Sequence, residues 1–198
     1  SRQQEIDKGA AFVTAIGKFP LVVKSVPGFL VNRVLAPYMM GAMRRVDEGE
    51  EKEKIDEAAR TFGMPMGPIE LADTVGLDVC AHVGQILGLG NEVSGTAKLV
   101  QSGKLGKKTG EGYYTWKDGK PVKSEEARYG NGELEKLGRE LVEPLIKEAQ
   151  RAVDEGVVES ADLVDAGVIF GTGFAPFRGG PLFFKALERP GTVSLAAE

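Results

Sequence analysis

The sequence repeats itself, and the repeat limits its possible folds more than any other feature. Val46-Asp47-Glu48-Gly49 returns 107 positions later as Val153-Asp154-Glu155-Gly156, and Pro37 returns as Pro144 at the same offset. Phe62-Gly63 returns as Phe170-Gly171 at an offset of 108, and Gly67-Pro68 as Gly180-Pro181 at 113. One such pair could arise by chance, but four in the same order at nearly one offset mark a duplicated unit, with a period too long for a solenoid. Two copies of this size are expected to pack as a pseudo-twofold pair, each covering the other's apolar face.

Both copies carry a helical period. Residues 29–46, 52–62, 69–75, 77–87 and 96–101 place apolar side chains at helical spacing, and Gly49, Gly63, Gly76 and Gly88 to Gly90 stop them. Residues 133–154, 161–169 with Ser160 as N-cap, and 182–187 form the second set. Between the sets lie a basic, glycine-rich loop (103–112), an extended piece (113–116), a turn at Asp118-Gly119, and a polar stretch (120–132) that reads as a linker. The N-terminus differs: a helix over 5–16 with Ile6, Ala10, Val13 and Ile16 on one face, then a β-branched strand over 19–24. A single parallel strand leaves its backbone groups unpaired, so this α/β step reads as the remnant of a larger sheet. The expected fold is all-α: a tandem of helical domains over 27–122 and 123–198, preceded by the α/β remnant over 1–26.

Several function classes fall away. A 42% hydrophobic and 27% charged chain can bury a core, which argues against disorder, and its apolar runs are too short to cross a bilayer. Ser1 opens no signal pattern, so a cytoplasmic location is expected, or a peroxisomal one if the source is eukaryotic; the final Ala196-Ala197-Glu198 is not the peroxisomal address. One cysteine, Cys80, and one histidine, His82, supply neither a disulfide nor a zinc site of the usual four N/S ligands, so no metal is expected. With a formal charge of −4 and lysines interleaved with glutamates, no nucleic-acid partner is expected. The phosphate-loop pattern fails because Gln101 stands at its first glycine and Lys108 follows Lys107. Gly171-Thr172-Gly173 begins a dinucleotide fingerprint, but Pro176 stands at its third glycine and a helix precedes it. His82 reads as a structural or surface residue, and Glu70 and Asp73 as a solvated helix face.

The stretch Ser25-Val26-Pro27-Gly28-Phe29-Leu30-Val31-Asn32-Arg33 is the most informative. It turns the chain into a helix and sets Asn32, a poor interior choice, in the first turns. Asn32 either caps or is solvated there, or its amide meets a substrate oxygen. This stretch, the preceding Lys18-Phe19-Pro20-Leu21-Val22-Val23, then Phe62-Gly63-Met64-Pro65-Met66-Gly67-Pro68, and then Gly106-Lys107-Lys108-Thr109-Gly110-Glu111-Gly112-Tyr113-Tyr114 resemble the successive signatures of the 3-hydroxyacyl-CoA dehydrogenase C-terminal domain. Gly173-Phe174-Ala175-Pro176-Phe177-Arg178-Gly179-Gly180 resembles the second copy found in multifunctional fatty-acid β-oxidation α-chains.

The resemblance implies a tandem pair of helical domains like the C-terminal part of 6-phosphogluconate dehydrogenase, with the active site in a cleft against an NAD-binding domain of the same parent chain. It implies oxidation of an L-3-hydroxyacyl-CoA with NAD as cofactor, beside an enoyl-CoA hydratase activity, and a thiolase subunit as a further partner. The family's catalytic histidine and its glutamate partner lie upstream of the strand matching 19–24, so these 198 residues alone are expected to be inactive. Asn32 would contact the substrate oxygen. Lys108 would reach NAD across the cleft, against the plain reading of a solvated loop lysine. Phe170 stands where some relatives have a tyrosine thought to meet CoA; without a hydroxyl it competes with a core reading. At the offset of 107 the second copy has Arg139 in place of Asn32, so only the first keeps the amide. A non-catalytic helical assembly module and another two-domain 3-hydroxyacid dehydrogenase are the alternatives.

Overall fold

A computed structural model describes residues 3–89, 94–124 and 129–188. The first long helix past the N-terminus, α2 (Val31–Asp47), runs through the middle of the molecule and buries Val34, Tyr38, Met39, Met40, Ala42 and Met43. Such burial on several sides fits a helix packed on more than one face, and its neighbours are the helices on either side of it in space. They are α4 (Pro68–Val75), α5 (Leu77–Ile86), α6 (Ser94–Gln101), α7 (Asn131–Asp154) and α8 (Ala161–Thr172); α3 (Lys52–Phe62) and α9 (Pro181–Leu187) pack on α7, while α1 (Gln3–Ala15) buries none of its residues. The only sheet among the described residues is an antiparallel hairpin, β1 (Thr115–Lys117) with β2 (Lys120–Val122). Asp118 and Gly119 turn it with φ of +50° and +74°, the left-handed pair that two-residue hairpins use.

The longest contact is between α7 and the α2–α3 pair. Leu134, Leu137, Leu141 and Leu145 of α7 face Ile55, Ala58 and Phe62 of α3 in one core. Gly138 permits the approach, because a Cβ there would lie 2.5 Å from the Ala58 carbonyl oxygen. Phe62 then meets Phe174 and Phe184 edge-on, at centroid distances of 5.6 and 5.2 Å, which ties the end of α3 to α9 and the segment before it.

One local arrangement occurs twice. Asp56 of α3 is fully buried and accepts hydrogen bonds from the Ile69 and Glu70 amides at the start of α4, at 2.8 and 3.1 Å. Asp165 of α8 does the same for the Leu182 and Phe183 amides at the start of α9, at 2.7 and 3.0 Å. Each carboxylate satisfies helix N-terminal donors that have no intrahelical acceptor. The glycine before each short helix makes room: a Cβ on Gly67 would sit 2.2 Å from the Asp56 carboxyl carbon, and one on Gly180 would sit 2.4 Å from that of Asp165.

Three expectations are corrected. The segment 19–24 is no strand: it has no regular secondary structure and no sheet neighbour among the described residues, and Phe19 and Val22 are exposed. A β-branched run makes a strand only where a second edge receives its backbone groups, and here the Lys24 amide reaches only Val157 O, at 2.9 Å. The stretch 120–132 is not linker throughout, since it contains β2 and the first turn of α7; residues 125–128 lie outside the described residues. Glu70 and Asp73 are not a solvated face. Asp73 is fully buried, and Glu70 binds Arg60 and, at 2.5 Å, Lys123. The other helices match the expected spans to within a few residues, and Ser160 caps α8 by accepting from the Leu163 amide at 3.3 Å.

Candidate functional site

Asn32 sits in the first turn of α2. Pro27 and the left-handed Gly28 and Phe29, with φ of +76° and +49°, turn the chain sharply into the helix. The turn is tight: a Cβ on Gly28 would lie 3.0 Å from the Arg33 nitrogen. Leu30 occupies the N-cap position and no side chain caps the helix, so Asn32 is not a capping residue. Its amide is exposed and has no hydrogen-bond partner among the described residues. It lies at the edge of a cavity of about 150 Å³ walled by Leu35, Met39, Met43, Val75, Val79 and Cys80. A polar group with both donor and acceptor capacity therefore stands beside an otherwise apolar wall, the usual composition of a small-molecule site. Burial pushes the Cys80 thiol up to about 11, so it stays protonated and serves as part of that wall.

Lys108 lies on a one-turn 3-10 helix, Lys107–Thr109. Its ammonium donates to both Asp78 oxygens, at 2.6 and 2.7 Å, and Asp78 is held below its usual carboxylate range mainly by that bond. The plain solvated reading of Lys108 is thus incomplete, since the side chain is aimed at the first turn of α5. Gly76 opens the way, because a Cβ there would lie 3.0 Å from the Lys108 nitrogen. Asn32 and Lys108 therefore flank the same junction: Val75 and Val79 wall the Asn32 cavity, while Gly76 and Asp78 touch Lys108.

Phe170 is elsewhere and is not a core residue. It is 69% exposed on α8 and stacks on Phe19 at 5.1 Å and 14°. The two rings line a separate groove with Leu21, Val31 and Gly167. Val31, next to Asn32 in sequence, lines that groove, whereas Asn32 lines the apolar cavity. His82 is exposed on α5 and is not part of the Asn32 cavity wall. Among the described residues no group of His, Cys, Asp and Glu side chains could hold a metal ion.

Sequence reasoning missed what holds the lysine loop. Asp73 accepts the Tyr113 and Tyr114 amides at 2.9 and 2.8 Å and the Trp116 indole at 3.0 Å. The Tyr114 hydroxyl donates to Asp56 at 2.8 Å. Burial raises the Asp56 carboxyl to about 6, against the lowering effect of that hydroxyl and of the Ile69 amide. A signal was present in the loop glycines: a Cβ on Gly106 or Gly112 would lie 2.3 Å from Asp73 atoms, a spacing only glycine allows.

These features coincide with a known domain. Residues 28–116 match the model of the 3-hydroxyacyl-CoA dehydrogenase C-terminal domain. The chain is also 40% identical over 192 residues to the fatty acid oxidation complex subunit alpha of Vibrio cholerae, covering 90% of this chain and 27% of the relative. It is 39% identical over 201 residues to the subunit of the same name from Idiomarina loihiensis, covering 91% and 28%. The chain thus spans just over a quarter of the length of these relatives. Among solved structures, 3-hydroxybutyryl-CoA dehydrogenase from Escherichia coli superposes with a TM-score of 0.76 at 22% identity, over 94% of this chain and 58% of that one, which shows the shared fold. The (S)-3-hydroxybutyryl-CoA dehydrogenase from Ralstonia eutropha aligns with a TM-score of 0.54 at 34% identity, over 57% and 42%.

Proposed function

We propose that the chain is the helical, substrate-facing part of an NAD-dependent L-3-hydroxyacyl-CoA dehydrogenase in fatty-acid β-oxidation. It works against an NAD-binding domain, within a multifunctional α-type chain that also carries enoyl-CoA hydratase activity. The observation that carries this is the Asn32 amide, exposed and with no hydrogen-bond partner among the described residues, at the edge of an apolar cavity inside the stretch that matches the dehydrogenase domain. We divide the chain into 1–26, 27–122 and 123–198, the last two as duplicates; the recurring Asp56 and Asp165 arrangement supports this. The relatives are named as subunits of a complex, which supports a partner chain, and thiolase, the consumer of a 3-ketoacyl-CoA, is the one we assign. No helix among the described residues is long and apolar enough to cross a membrane. The bacterial sources of the relatives support the cytoplasm, with the peroxisome as the eukaryotic counterpart.

Bound NAD would supply the hydride-accepting chemistry needed to oxidise the substrate at C3, with Lys108 holding one edge of it. The described residues fit one edge of that cofactor rather than its whole: no parallel sheet with a glycine turn is present, but Lys108 is a surface cation already oriented on a pair of anionic oxygens. Asn32 fixes the substrate oxygen through its amide, and the apolar wall beside it keeps water away. Phe170 offers a flat apolar face to the CoA portion. Lys108 provides a point charge for a phosphate or ribose edge.

Two results test this. Purified chain, 198 residues long, should consume no NADH with acetoacetyl-CoA above a blank, since its only histidine, His82, is outside the Asn32 cavity. Joined to the NAD-binding domain of an α-subunit relative it should turn over; activity of the chain alone, or none in the joined protein, would sink the reading. In that holoenzyme, Lys108→Ala should raise the apparent KM for NAD several-fold, on the order of 1 kcal/mol for an exposed charge contact. The difference should shrink at high salt, where exposed charges are screened. An unchanged KM at low salt would leave Lys108 as a loop residue that only pairs with Asp78.

A further inference from the structure

The turn that delivers Asn32 is held from outside by one end of α7. The Lys24 amide donates to Val157 O at 2.9 Å, and the Lys24 ammonium reaches Glu155 O at 3.4 Å. On the far side of the turn, Arg33 donates through Nε to Glu148 at 2.5 Å and through Nη2 to Glu155 at 2.8 Å. Arg151 closes the network on Glu148 at 3.2 Å. The Arg33 and Glu148 side chains are only 12% and 16% exposed, so this is not a solvent-screened pair of little consequence. Burial works against the Arg33 charge, and the hydrogen bonds it donates to Glu148 and Glu155 outweigh it, leaving the guanidinium above its usual pKa.

Between these anchors the backbone passes through Gly28 and Phe29, both at positive φ. For phenylalanine that conformation is costly and persists only where the surroundings impose it. The Asn32 side chain has no hydrogen-bond anchor among the described residues, so its position follows the backbone, and Arg33 is the next residue along. At the repeat offset of 107 the first-copy counterpart of Glu148 is Gly41, so the clamp runs one way, from the second half of the chain to the first.

We propose that Glu148 and Glu155 are positioning residues for Asn32, acting through Arg33, so that the second helical unit sets the geometry of the substrate amide in the first. The inference rests on the reading of Asn32 as a substrate contact. It gives the second unit, which has Arg139 in place of the amide, an indirect part in catalysis, through Arg33. A displacement of about 1 Å at a reacting group can cost up to about a hundredfold in rate, which sets the scale of the expected effect.

The experiment uses the holoenzyme with Asn32→Ala, with the pair Glu148→Gln and Glu155→Gln, and with all three changes. The glutamine pair should lower kcat about tenfold to a hundredfold, with KM for NAD unchanged. The triple variant should be no slower than Asn32→Ala, because misplacing an absent amide costs nothing further. A wild-type kcat in the glutamine pair, or the same fold loss repeated in the Asn32→Ala background, would overturn the proposal, the second outcome revealing a general structural role. Should the pair fail to fold, Glu155→Gln alone removes only the more exposed partner. It is then expected to slow kcat several-fold, again only when Asn32 is present, and a loss independent of Asn32 would count against the proposal. Asn32→Ala with unchanged kcat would sink the Asn32 reading itself and this inference with it.

Discussion

Asn32→Ala in the holoenzyme is expected to lower kcat by about one to three orders of magnitude, the scale for losing one hydrogen-bonding group at a reacting oxygen. The thermal midpoint should not move, because the amide is exposed and has no partner among the described residues whose loss could destabilise the fold. This separation makes the variant informative: a slow enzyme with a wild-type melting curve places the effect in the reaction. Steady-state kinetics with acetoacetyl-CoA and NADH, alongside a thermal melt, measures both. Unchanged kcat and KM would demote Asn32 to a solvated residue of the first helical turn.

Asp73→Ala is expected to be the most damaging single substitution for stability. The carboxylate receives the Tyr113 and Tyr114 amides and the Trp116 indole, so its removal strands three donors where the glycine-rich loop closes on α4. Buried donors left without acceptors cost about 1–3 kcal/mol each, and partial rehydration of the two less buried ones brings the sum to roughly 3–5 kcal/mol. At about 2–4 °C per kcal/mol for a chain of this size, the melting midpoint should fall by roughly 10 °C or more. Urea or thermal unfolding of the 198-residue chain measures it directly. A midpoint within about 2 °C of wild type would mean that water replaces the carboxylate, and that the loop is not built on Asp73.

The helices were legible because local chemistry fixes their ends. Gly63 at φ +116° stops α3, Pro68 opens α4 and Ser160 caps α8, and each acts on the backbone within a few residues. The Asp118-Gly119 turn is legible for the same reason, whereas β2 beyond it is three residues with exposed ends, which carry too little pattern to stand out from a linker. The segment 19–24 misled for the opposite reason: strand propensity is a statement about a surface to pair with, and none lies beside it among the described residues. Phe170 carries no sign in its own sequence that Phe19, far away along the chain, will stack on it at the surface.

The site divides the same way. The position of Asn32 after a proline and glycine turn could be read directly, and its lack of a cap partner follows from the helix starting one residue earlier, at Val31 with Leu30 as cap. That Lys108 is aimed at Asp78 depends on an approach over Gly76 that no spacing rule announces. Of the carboxylates that hold the fold together, Asp73 reads from the sequence as part of a solvated helix face, and Asp56 and Asp165 carry no mark of their own. Their partners are backbone amides up to 41 residues away, and an amide leaves no trace in a sequence.

The two aspartate–glycine pairs also limit how the protein can vary. Because a methyl group at Gly67 or Gly180 would overlap the carboxyl of Asp56 or Asp165, neither member of a pair can be exchanged on its own without losing either the room or the acceptor. A library randomised at Gly67 alone should return glycine almost exclusively. One randomised jointly at positions 56 and 67 would have to find a smaller acceptor and a larger neighbour in the same clone. Such a two-position lock resists drift even at a place that touches no substrate.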